Sequence, residues 1–115
     1  MPRRSARPTV RSTRRHASIF AALGDETRLA LLLTLCASMP LSITQLSEGS
    51  SITRQAITKH LRVLEDAGLV ASERTGRQML FRLKPQPLSD AVRLLDGISR
   101  QWDQALARLK TFVER

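Results

Sequence analysis

Between Ser51 and Val70 the chain reads SITRQAITKHLRVLEDAGLV, with Arg54, Gln55, Thr58, Lys59 and Arg62 set among apolar residues. Guanidinium and ammonium groups suit guanine O6 and N7, a glutamine amide suits adenine N6 and N7, and a threonine methyl suits the methyl of thymine. Spaced about 100° apart around a helix, these residues fall on one half of the wheel with Glu65 and Asp66. Ala56, Ile57, His60, Leu61, Val63 and Leu64 fall on the other half. The cations lie toward the N-terminal end and the acids toward the C-terminal end, opposite to what the helix dipole favours by roughly 0.3–1 kcal/mol per charge. Helix stability therefore does not account for Arg54. We expect Arg54, Gln55, Thr58 and Lys59 to read base edges, and Thr53 and Arg62 to meet phosphate. The bland alternative is a solvated helix face.

Those side chains need a frame, and short-range signals supply one. Ser42 and Gln45 have the spacing of a capping box, so a short third helix should run to about Glu48. Gly49 to Ser51 makes a turn, and Thr53 caps the helix that carries the cations. A short helix, a glycine turn and a second helix with a polar N-terminal half form a helix-turn-helix, whose second helix enters the major groove. Upstream, Ile19, Phe20 and Leu23 share the face of a first helix that Gly24 should end, and Asp25 should cap a second helix beginning at Glu26.

Past Gly68 the period changes to two. LVASER and QMLFRL flank Thr75 to Arg77 and read as an antiparallel hairpin, a wing whose Arg74, Arg77 and Gln78 should touch phosphate. KPQP, residues 84 to 87, should break the chain before a last helix from Leu88 to Val113. In that helix Ala91, Leu95, Ile98, Trp102, Ala105, Leu109 and Phe112 recur at steps of four and three. The helix would span about 39 Å and asks for a partner of similar length. The expected fold is mainly α, with five helices and a two-stranded β-wing.

Composition bounds the rest. A chain of 115 residues with 42% hydrophobic content makes one domain. Its net charge of +9 favours a polyanionic partner. Residues 1–15 hold six arginines and no acid, leaving +3 for residues 16–115. We read 1–15 as a disordered basic arm: a solubilising extension, a DNA-contacting arm or a targeting peptide. The longest apolar run, Leu29 to Ala37, is far short of the ~18 residues of a membrane span, and no signal peptide is visible. The single cysteine, Cys36, fits a reducing cytoplasm and should be a buried structural thiol. His16 and His60 read as packed or phosphate-bonded imidazoles rather than metal ligands. No paired carboxylates, phosphate loop or nucleophile motif appears, so enzyme is the least supported class and no cofactor is expected.

Taken in order, LGDETRLALLLTL, SITRQAITKHLRVLEDAGLV and SERTGRQMLFRL resemble the ArsR family of bacterial winged-helix repressors, over residues 17 to 84. The resemblance implies a homodimer formed by the first and last helices, with Ile19, Phe20, Leu95, Ile98, Trp102 and Leu109 at the interface. It also implies repression from an inverted-repeat operator in double-stranded DNA, in the cytoplasm and on the nucleoid. The family's thiolate metal site opens the third helix, where this chain has SIT, and its second metal site uses histidines on the last helix, whereas none follows His60. Hydroxyls do not replace thiolates as soft ligands. The chain is therefore similar to members with a tryptophan-bearing last helix and no known small-molecule signal, and any inducer is left open. The rival readings are a winged-helix protein-interaction module and a nonspecific DNA-coating protein.

Overall fold

The computed structural model describes residues 10–114. Within them the elements run α1 (Val10–Leu23), α2 (Glu26–Ala37), β1 (Leu41–Ser42), α3 (Ile43–Ser47), α4 (Arg54–Asp66), β2 (Val70–Thr75), β3 (Gln78–Leu83) and α5 (Pro85–Val113). The chain divides into two compact units, one closing at Pro85 and one comprising Gln86 onward.

Local signals place most of the boundaries in the first unit. The Asp25 carboxylate accepts the Arg28 N–H at 2.9 Å and opens α2. Ser42 and Gln45 form a reciprocal capping box at α3, with the Gln45 N–H bonded to the Ser42 hydroxyl at 3.2 Å and the Ser42 N–H to Gln45 Oε1 at 2.9 Å. Thr53 accepts the Ala56 N–H at 3.1 Å and starts α4. Gly68, at φ +80°, ends α4 in a Schellman motif: its N–H reaches the Glu65 carbonyl and that of Leu69 reaches the Leu64 carbonyl, both at 2.9 Å.

α1 ends differently from expectation. Gly24 does not adopt a left-handed conformation, and the last carbonyls of α1 are met instead by the Arg28 side chain, whose Nε donates to Ala22 O at 2.7 Å and Nη2 to Ala21 O at 3.3 Å. α1 also starts earlier. The stretch Val10 to Arg15, expected to belong to an unstructured arm, is helical, and residues 1–9 of that arm lie outside the described residues. Arginine is a good helix former, so a run of basic residues need not stay unwound next to a helix that can extend into it.

The sheet has three antiparallel strands in the order β1-β3-β2, not the two of the expected wing. β2 and β3 pair from Val70↔Leu83 to Thr75↔Gln78 across a turn in which Gly76 has φ +64°. Positive φ at the first central residue and not at Arg77 is the pattern of a type II′ hairpin. β1 adds Leu41↔Phe81 and Ser42↔Leu80. Two residues show no period of their own; long-range pairing makes them a strand.

The core is made by Leu31, Leu32 and Leu35 of α2, Ile57, Leu61 and Leu64 of α4, and Leu69, Val70 and Phe81. Ile19 of α1, expected at a dimer interface, is also in this core, 2% exposed in the single chain. Cys36 is exposed, contrary to the expected buried thiol. α2 turns Leu31, Leu32 and Leu35 inward and leaves Leu29, Leu33 and Cys36 outward, and a helix apolar all round gives no period from which to choose.

α5 begins at Pro85, the last residue of the first unit, and makes up the described part of the second, so the KPQP segment opens the helix instead of interrupting the chain before it. Pro85 and Pro87 fall in the first turn, where backbone N–H groups have no intrahelical partner to lose. Along the helix Leu95, Ile98, Trp102, Leu109 and Phe112 are exposed, joined by Val92, Leu106 and Val113; Ala91 is buried. No described helix is long and apolar enough to cross a membrane.

Two outcomes are expected. Leu61→Ala should lower unfolding free energy by about 2–5 kcal/mol, while Arg62→Ala, one residue on but exposed, should stay within about 0.5 kcal/mol, in urea titrations at equal protein concentration. The Arg28 N–H holds the Asp25 carboxyl below its ordinary range, opposed by partial desolvation and aided by the charges of Arg28 and His60. A lowered folded pKa means that this group stabilises the fold above its unfolded value, about 3.9, and that the contribution is lost as pH falls through the folded value. Asp25→Asn, which keeps a capping side chain, should flatten the acid limb of stability against pH below about 4.

Candidate nucleic-acid interface

Burial of Ile57, Leu61 and Leu64 on one face of α4 fixes the opposite face outward. Thr53, Arg54, Gln55, Lys59 and Arg62 are all exposed, and Thr58 is half-buried. The Thr58 hydroxyl donates to the Arg54 carbonyl at 2.8 Å, which commits its proton to the helix and leaves its methyl and oxygen lone pair for a ligand. His60, also half-buried, lies 3.8 Å from Asp25 Oδ2 and 3.5 Å from Arg28 Nη1 through its Nδ1, so it links α4 to the start of α2.

At the C-terminal end of α4 the acids are partly tied down. Glu65 Oε2 accepts the Ser72 hydroxyl at 2.7 Å, anchoring the root of the wing to the helix. The cations are not tied. Among the described residues, ion pairs join His60 to Asp25, Arg93 to Asp90 and Arg100 to Asp96, and none engages Arg54, Lys59, Arg62, Arg74 or Arg77. Exposed guanidinium groups with no carboxylate beside them keep their full attraction for an external anion.

Three of these cations converge. Arg54 from the first turn of α4, Arg74 from β2 and Arg77 from the hairpin turn line one cleft of about 290 Å³, together with Gln78, Met79 and Thr44. The sequence assigns Arg54 to bases and the wing arginines to phosphate, and gives no sign that they share a concavity. Thr44 was missed altogether. The β1–β3 pairing carries the start of α3 to the wing, and no short-range pattern announces that pairing. Ser42 is the joint: 4% exposed, it is paired to Leu80 across the sheet and caps α3 on its other side. Its hydroxyl, the first of the SIT stretch, is thereby occupied.

The interface residues expected elsewhere divide. Phe20 is half-buried, and Leu95, Ile98, Trp102 and Leu109 on α5 are exposed, with Trp102 65% accessible. No group of three or more His, Cys, Asp or Glu able to hold a metal is found among the described residues.

Known proteins are similar to this chain in sequence and in fold. An ArsR-like transcriptional regulator from Rhodococcus sp. RHA1 superposes with a TM-score of 0.78 at 38% identity, covering 90% of this chain and 96% of that one. The uncharacterized HTH-type transcriptional regulator YuzN of Bacillus subtilis (strain 168) is 43% identical over 82 residues, which are 66% of this chain and 89% of the relative. The chain belongs to the ArsR family. A helix-turn-helix domain family matches residues 23–73, the span from the end of α1 into the wing. The HTH-type transcriptional repressor SmtB of Mycobacterium tuberculosis is 30% identical over 88 residues, 76% of this chain and 63% of that protein. As an ArsR-family winged helix-turn-helix protein the chain is a DNA-binding transcriptional regulator and not an enzyme.

If Ser42 joins wing to helix-turn-helix, Ser42→Ala should cost about 0.5–2 kcal/mol of stability, whereas Thr44→Ala, exposed two residues on, should cost little. Thermal or urea unfolding monitored by circular dichroism decides this; equal effects would show that the cap contributes nothing special.

Proposed function

We propose that this ArsR-family regulator is a homodimeric repressor that lays one α4 from each copy into successive major grooves of an inverted-repeat operator. The observation that carries this reading is the exposed, unpaired row of cations on α4 facing away from a core that fixes its orientation. In this reading Gln55, Thr58 and Lys59 meet base edges. Thr53, Arg62, Arg74, Arg77 and Gln78 hold phosphates and set the register. Arg54 serves both ends, reaching a base edge from the first turn while sharing the cleft with the wing arginines. The exposed Arg11, Arg14 and Arg15 of α1 add to the field that draws the protein to DNA.

The second copy covers the α5 stripe. Leu95, Ile98, Trp102 and Leu109, with Leu106 and Phe112, form a row too long and too apolar to favour water, and a self-complementary helix face meets its twin around a two-fold axis. Phe20, half-buried on α1, is a further dimer contact in this reading, and Ile19 lies in the core of its own chain. The same two-fold axis then places half-sites about 34 Å apart, or a multiple of that. The protein acts in the cytoplasm, on the nucleoid, and without a thiolate metal site, since hydroxyls stand where soft ligands would be needed.

The test separates the two contact classes. Arg77→Ala should weaken binding to every duplex alike and reduce the salt slope by about one, whereas replacing Gln55 or Lys59 with alanine should cost about 1–3 kcal/mol on the preferred operator and relax base preference. Fluorescence anisotropy on operator variants across a salt series reads both. Uniform losses for all three variants would remove α4 as the reader, and a flat salt dependence would remove phosphate contact as the source of affinity.

A further inference from the structure

A second cleft, of about 360 Å³, lies between α2 and the α3–α4 turn, on residues that the DNA reading does not use. Its apolar lining comes from Ala30, Leu31, Leu46, Ile52 and Ile57, of which Leu31, Leu46 and Ile57 are buried. That size is within the range that takes small organic ligands.

The polar lining has a definite sign. Glu26 and Glu48 both line the cleft, and no lysine or arginine does, although the chain as a whole carries +9. Of the neutral polar groups around it, Thr27 aside, three are already engaged. Gln45 is held in the capping box, the Thr34 hydroxyl donates to the Ala30 carbonyl at 2.9 Å, and the Ser50 hydroxyl accepts the Ile52 N–H at 3.0 Å. Neither Glu26 nor Glu48 has an ion pair among the described residues. Glu48 follows α3 directly, its backbone N–H bonding the Gln45 carbonyl, while Glu26 lies in the first turn of α2, where backbone N–H groups offset part of its charge. An apolar floor with two carboxylates at its rim, neither in an ion pair, complements a positive head on a hydrocarbon body.

We propose that this cleft is a regulatory site for a small organic cation, an ammonium group joined to an apolar body. Its walls belong to three successive elements. Leu46 is on α3, Ile52 is in the turn and Ile57 is on the buried face of α4, so a ligand seated there presses on the angle at which α4 is presented. Occupancy therefore changes operator affinity through the pose of α4. This regulatory half rests on the reading of α4 as the DNA-contacting helix; the binding half does not.

The two halves are read separately on the full chain. Titration of the 15N-labelled protein with benzyltrimethylammonium should give saturable amide shifts confined to the cleft face of α2 and to residues 45–57. Benzoate should give none and benzyl alcohol weaker ones. The exposed pair of changes Glu26→Gln and Glu48→Gln should weaken the cation about fivefold with an unchanged fold by circular dichroism. Saturating cation should shift affinity for a duplex selected from a random pool by about fivefold or more. No saturable shift, or equal binding of benzoate, overturns the site. Cation binding with unchanged duplex affinity overturns its regulatory role. A protein that binds no duplex at all contradicts the DNA reading and leaves the titration to decide the cleft.

Discussion

Three side chains, Ile57, Leu61 and Leu64, dictate which way α4 faces. Each buried aliphatic group contributes about 1.5–3 kcal/mol, so rotating α4 to hide its cations would forfeit several kcal/mol and bury unpaired charge as well. The helix is thus locked with Arg54, Gln55, Lys59 and Arg62 in water. That orientation turns the polar face of α4 outward and sets Arg54 in the cleft it shares with Arg74 and Arg77 of the wing.

The second constraint is that the cations lack partners. Among the described residues Asp25, Asp90 and Asp96 pair with His60, Arg93 and Arg100, Glu65 bonds to Ser72, and no carboxylate forms an ion pair with Arg54, Lys59, Arg62, Arg74 or Arg77. A helix built for stability alone would place acids in its first turn and cations in its last; α4 does the reverse, with no acid in the first turn and no base in the last. In the proposed reading an external polyanion offsets that small local disadvantage.

What could be read from the sequence was local. Asp25, Ser42 with Gln45, and Thr53 announce helix starts within three residues of themselves, and Gly76 announces the hairpin, because capping and positive φ are short-range properties. What could not be read was long-range or lacked a period. β1 is a strand only because β3 lies beside it, and its absence from the expected fold hid the convergence of Arg54 with Arg74 and Arg77. The uniformly apolar α2 left Cys36 without a predictable side, and Ile19 shared a pattern with Phe20 that did not reveal which of the two the core would take. Pro85 begins a helix instead of breaking one, because the first turn has no intrahelical N–H bond for proline to remove. Family resemblance identified the fold as a whole, yet only the geometry distinguishes residues that hold the scaffold from those that are free to touch DNA.

The proposed reading requires that a second copy cover the apolar row on α5 and that the cationic row on α4 of each copy meet DNA. Hydroxyl-radical footprinting on an operator selected from random sequence addresses it directly. The account predicts two protected segments related by a two-fold axis, their centres about 10 base pairs or a multiple of that apart. A single protected segment, or protection spread evenly along the duplex, would contradict it.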